Sequence, residues 1–241
     1  MRAALALAGI LLAATGAARA GDWADRAILG FSPDGGTFAF EEFGVQDGSG
    51  FPYANVYVID TSRDAWVAGT PIRVMIEDEW ASENDARAKA EAEAAPVLAA
   101  HDIRDAGYRI VASNPPTELS ADPHAVRFLP DLYSNQPYAN WDLRLTLLPM
   151  PDGEDCANLG PIAGFRLDLA HYTGESLVLY EDETIPASRF CPQDYAITDV
   201  IVFRPERPEP PVLVVLLNLI RQGFEGPDRR YLAVTAHPPQ L

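Results

Sequence analysis

Apolar and polar residues alternate with a period of two along much of this chain. Across 37–43, Phe38 and Phe40 fall on one side, with Thr37, Ala39 and Glu41 on the other. Residues 55–60 alternate in the same way. Residues 141–148 set Leu143, Leu145 and Leu147 against Asp142, Arg144 and Thr146. Successive side chains of a strand point to opposite faces, so each pattern predicts a strand with one buried face. Shorter strands are expected from Ile28 to the turn at Phe31, and over 65–67, 72–76, 108–112, 125–129, 162–169, 176–180, 195–203 and 231–235. The stretch 212–220 is almost continuously apolar, which predicts a central strand covered on both faces. It is far shorter than the ~20 residues that cross a bilayer as a helix.

Punctuation between these runs is clear. Phe31-Ser32-Pro33-Asp34-Gly35-Gly36 reads as a turn. Proline fixes φ, aspartate hydrogen-bonds nearby backbone, and glycine accepts positive φ. Asp34 and Gly35 are therefore read as folding residues. The glycines of 44–50 suit an exposed loop. One helix stands out: Ser82 is a good N-cap, Asp85 holds the capping-box position, and 86–100 is built of Ala, Glu, Arg, Lys and Leu. Pro96 either kinks this helix or opens a second one. Val97, Leu98 and Ile103 place the expected packing in its C-terminal half, with Glu91 and Glu93 in solvent. The sum is a mainly β (α+β) chain, antiparallel meanders forming a sandwich or partial propeller-like body with one prominent Ala-rich helix. Residues 21–241 read as a single β-rich domain. If there are two lobes, they divide near 114–116, where Asn114-Pro115-Pro116 stops helix and ladder alike. Pro52-Tyr53-Ala54-Asn55 is echoed by Pro137-Tyr138-Ala139-Asn140, as a duplication would require.

The order turn, strand, loop, strand from Phe31 to Asp60 resembles one blade of a TolB-type β-propeller. The residues that carry the likeness are Phe31, Ser32, Pro33, Asp34, Gly35, Phe38, Ala39, Phe40, Tyr57, Val58, Ile59 and Asp60. A propeller repeats its blade at least four times, and no second F-S-P-D-G occurs in the chain.

Residues 1–20 follow different rules. Arg2 precedes an apolar run over 3–14, and Ala18-Arg19-Ala20 forms an A-x-A cleavage site, the three parts of a secretory signal peptide. Apolar residues make up 48% of the chain and charged residues 22%, ordinary for a globular protein. The formal charge is −17, and loss of Arg2 and Arg19 with the signal takes it to −19. Such a chain lacks the basic face that nucleic acid or anionic lipid needs. The two cysteines, Cys156 and Cys191, are expected to pair in an oxidising compartment. In the chain-entropy picture a loop of ~35 residues closed in this way adds roughly 4 kcal/mol.

No motif selects a chemistry. Gly174-Glu175-Ser176 is not a nucleophile elbow. His101, His124, His171 and His237 form no metal-ligand pair, and only His124 and His171 are plausible site members. Asp47–Ser49 and the acids of 152–155 lack the alternating ligand pattern of a calcium loop. Neither a cofactor nor a metal is expected. Tyr133, Tyr138, Trp141, Arg229 and Arg230 are residue types favoured at interfaces, and Tyr138, Trp141, Arg229 and Arg230 are the binding candidates.

With the signal peptide, the F-S-P-D-G turn, the Y-V-I-D strand, the helix with Pro96 and the closing Gly223-Phe224-Glu225-Gly226-Pro227-Asp228-Arg229-Arg230, the chain resembles a bacterial family of predicted secreted proteins of unknown function. The resemblance implies export and brings no site with it. The expected function is a non-enzymatic binding module, periplasmic or secreted, for an envelope polymer, peptide or protein. The competing expectation is an extracytoplasmic hydrolase that uses dispersed carboxylates or a histidine.

Overall fold

The structure, a computed structural model, describes residues 21–131, 139–151, 156–205 and 210–238. The first sheet holds β1 (Asp25–Phe31), β2 (Thr37–Val45), β3 (Pro52–Asp60), β4 (Ala65–Trp66) and β5 (Ile72–Met75), in the order β1-β2-β3-β4 with β5 also on β3. Helix α1 (Glu83–Ala100) follows, then β6 (Tyr108–Ser113). β7 (Ala125–Phe128), β8 (Trp141–Met150), β9 (Ile162–His171) and β10 (Ser176–Glu181) make a second antiparallel sheet. β11 (Pro192–Phe203), β12 (Val212–Gln222) and β13 (Pro227–Ala236) join β6 in the third, ordered β13-β12-β11-β6. β6, which precedes Pro115-Pro116, thus shares a sheet with β11, β12 and β13, whereas β7, which follows it, joins the second sheet.

The alternation of β12 shows how the sheets stack. Val212, Val214 and Leu216 face Phe31, Phe38, Phe40 and Ile59 of the first sheet. Leu213, Val215 and Leu217 face Leu143, Leu145, Phe165 and Leu167 of the second. Every one of these β12 side chains is fully buried, worth ~1.5–3 kcal/mol each in apolar burial. The sheet of β12 is therefore central and covered on both faces, as its continuous apolar run predicts. The helix lies on the far face of the first sheet, so the layers run helix, sheet, sheet, sheet.

Two details differ from expectation. α1 buries Ala86, Ala90 and Ala94 against Ala54, Val56 and Val74, so its contact begins in the N-terminal half. Alanine allows the close approach, while Val97 and Leu98 stay partly buried. Pro96 lies inside one continuous helix. Also, β13 starts four residues earlier than the apolar pattern shows, because its polar N-terminal residues pair with β12 as an edge strand.

The Phe31 turn forms as its residues dictate. Ser32 Oγ donates to Asp34 at 2.6 Å, and the Gly36 and Thr37 N–H groups donate to Asp34 Oδ1 and Ser32 Oγ. These bonds, the Ser32 hydroxyl first, hold the Asp34 carboxyl below its usual range. Gly35 has φ 74°, and a Cβ there would meet Val212 Cγ2 at 2.9 Å. Cys156 and Cys191 are joined, with sulfurs 2.03 Å apart, beside Ile162.

Candidate functional site

β13 is an edge strand, and its outward N–H groups need acceptors. Asp22 supplies a backbone carbonyl to Arg229 N–H. The Glu42 carboxylate takes Tyr231 N–H, and Asp64 takes Thr235 N–H at 2.7 Å. A buried acid, Glu42, and a half-buried one, Asp64, thus cap the edge of the central sheet. Glu42 is 1% exposed and also accepts from Asn55 and Tyr57. Burial raises its pKa, against the pull of Tyr231 N–H and Arg230. Burial raises Asp64 in the same way, opposed by Thr235.

Adjacent residues of a strand face opposite ways. Arg229 and Arg230 accordingly enter different cavities, one on each side of β13. On the Arg230 side lies a cleft of about 220 Å³ where Arg73, Arg189, Arg221 and Arg230 converge with Trp66 and Glu42. Two of the arginines are fixed. Arg189 donates to Asp182 at 2.6 Å and to Tyr180 at 2.8 Å, and its guanidinium lies 4.9 Å from the Phe165 ring centre. Burial pushes the Tyr180 and Tyr195 phenols beside it up to about 12. Arg230 pairs with the Asp22 carboxylate and lies over Tyr53. The other two arginines keep donors to spare. The carboxylate paired with Arg221, Asp228, is 3.8 Å away. Arg73 is exposed, stacks 5.5 Å from Trp66, and its guanidinium makes no ion pair or hydrogen bond among the described residues.

On the Arg229 side lies a cavity of about 270 Å³ between the central sheet and the loop that carries Pro115, Pro116 and Leu119. Asn218 of β12 forms part of it. Asn218 is 1% exposed, and among the described residues neither amide atom meets a partner at ideal hydrogen-bond geometry. The Tyr231 phenol lies beside that amide, across the strand pair. The Arg229 guanidinium stacks 4.0 Å from Trp23, and its buried Nε is also unpartnered. Burial lowers the Arg229 pKa.

Of the binding candidates, Trp141, Arg229 and Arg230 therefore do not come together in one site. Trp141 is 5% exposed in β8, packed on His171 at 4.6 Å in the second sheet. Tyr138 and Tyr133 lie outside the described residues, as do the acids of 152–155, Pro208 and the predicted signal peptide. Of the histidines, His101 caps α1 and meets Thr37, while His171 meets Thr173. His124 meets Asp194 at 3.2 Å. The missed residues had visible signals. Asn218 is the one polar residue within the apolar run 212–220, and a lone amide there must find a partner or remain unsatisfied. Arg73 and Arg189 carried no such mark.

The groups lining the Arg230 cleft are ones that can pair with anions. Guanidinium forks match carboxylate and phosphate oxygens, and aromatic rings offer flat faces.

Residues 39–237 match a family model described as "Predicted secreted protein (DUF2259)". The chain belongs to this family. The family description and the disulfide agree on a secreted protein outside the reducing cytosol. No helix among the described residues is long and apolar enough to cross a membrane. No curated protein and no solved structure matches the chain. The family sets the location and leaves the role to the geometry.

Proposed function

We propose that this secreted protein is a non-enzymatic binding module of the cell envelope, periplasmic or extracellular, and that its ligand is an acidic polymer or peptide held in the Arg230 cleft. The observation that carries the reading is the convergence of four arginines on one cleft in a chain of net charge −17. A solubility surface would disperse its few cations, whereas this chain gathers them against Trp66. Arg189 and Arg230 are held by their carboxylates and orient the walls, and Arg73 and Arg221 have donors left for a ligand. The acidic remainder of the surface repels such a ligand at long range, so its binding rests on close pairing within the cleft.

Calorimetric titration with oligogalacturonate, a carboxylated polymer, tests this. The expected result is binding that weakens with salt and falls about tenfold or more in Arg73→Ala/Arg221→Ala. Both residues lie outside the core, so the variant should keep the parent's melting temperature. No binding, or binding indifferent to the two arginines, would contradict the assignment.

A further inference from the structure

We propose that the cavity between α1 and the first sheet binds a small organic cation, a primary ammonium carried on an apolar body. The inference is independent of the Arg230 cleft. Glu41 and Glu42 are neighbours on β2 and face opposite ways, Glu42 into that cleft and Glu41 into this cavity.

The cavity holds about 480 Å³, within the ~300–1,000 Å³ typical of ligand pockets. One flank of α1 makes one wall and the sheet makes the other. Its polar end is built around Glu41. That side chain is 6% exposed, and its Oε2 accepts from Arg87 Nε at 3.1 Å and Arg87 Nη2 at 2.8 Å. The Arg87 guanidinium also lies 3.8 Å from the Phe43 ring centre, so the pair is held in place. The other oxygen, Glu41 Oε1, accepts no hydrogen bond among the described residues and is not sealed from solvent. An otherwise enclosed carboxylate thus keeps one free acceptor at the cavity. Glu91, one turn beyond Arg87 on the helix, is exposed and has no ion pair among the described residues. Glu83 and Asp25 also lie close enough to act on Arg87. One guanidinium stands among several carboxylates, and the polar end is net negative.

The other end is apolar. Leu98, about two turns beyond Glu91, lines it with Leu29, Val56 and Ile103. Val56 is fully buried, whereas Leu29, Leu98 and Ile103 are only partly buried and leave apolar surface open.

These features select the ligand. Glu41 Oε1 and Glu91 call for donors, and an ammonium offers three and no acceptor. Both partners are ionised, so the bonds are of the stronger, charge-assisted kind. An anion would meet the unpaired acids, and a bare metal ion would leave the apolar end uncovered. The chain's net charge of −17 attracts a cation at long range, the reverse of the situation at the Arg230 cleft.

Calorimetry on the full secreted chain tests this with hexylammonium, methylammonium, hexanol and hexanoate at one ionic strength. Hexylammonium should bind, with the other three about tenfold weaker or more. Methylammonium binding equally well would reduce the effect to long-range attraction, and hexanol binding equally well would remove the acids from it. Either result, or no binding of hexylammonium, would overturn the proposal. Glu41→Gln should weaken hexylammonium about tenfold or more. Because that change also loosens the Arg87 pair, Ala88→Trp serves as the second variant. Ala88 is exposed and lines the cavity, so the indole should fill it and abolish binding at an unchanged melting temperature. Undiminished binding in either variant would overturn the assignment. Arg73→Ala/Arg221→Ala should bind hexylammonium as the parent does, so the two sites succeed or fail separately.

Discussion

Asp64 and Glu42 show how an acid in this protein serves the backbone. Each carboxylate caps an N–H group at the free edge of β13. In each, burial is the larger influence and raises the pKa above its unfolded value. A raised carboxyl pKa gives stability that is complete below the unfolded value near 4 and is lost as pH rises through the folded one. Asparagine keeps the acceptor for both Thr235 bonds and tolerates the φ of 48° at position 64. Asp64→Asn should therefore have a higher urea midpoint than the parent at pH 8, with the advantage shrinking as the pH falls toward 4. A pH-independent loss would show that the ionised carboxylate is the better cap. None of this was legible in the sequence, where Glu41-Glu42 looks like any pair of surface acids. The partners of Glu42 lie 13, 15 and 189 residues away, and only tertiary packing brings them together.

At the scale of elements, the alternation in the sequence located nearly every strand, because each has one face set by the core. It also identified β12 as central, since a strand covered twice has no polar face. It failed where burial is not the cause of pairing. The start of β13 is polar because its residues line two cavities and its edge is capped by side chains from the first sheet. For α1 the capping box at Ser82 and Asp85 was legible and is formed. Its packed half is not legible there, because the large apolar residues lie in the C-terminal half while alanine makes the contact. Ala90 is completely buried against the first sheet. Ala90→Leu has no room there and should cost ~1–3 kcal/mol in chemical denaturation, more than Ala99→Leu on the exposed side. Equal effects would mean that the helix is held less closely than its alanine face requires.

At the scale of the whole molecule, the stack of three sheets and a helix brings β13, an edge of the central sheet, against Glu42 and Asp64. The two cavities lie on opposite sides of that edge, and consecutive arginines serve one each. Export and the disulfide were legible from short local signals. The sites were not, because Arg73, Arg189 and Arg221 come from three different parts of the chain and meet only through the stacking of sheets. The most direct measurement is an NMR titration of the isotope-labelled secreted chain with oligogalacturonate. The account predicts shift changes concentrated on Asn55, Tyr57 and Trp66 of the first sheet and Arg221 to Leu232 of the central one, with α1 and the second sheet's β7 and β8 unmoved. Changes centred on α1 or on Trp141, or none at all, would contradict it.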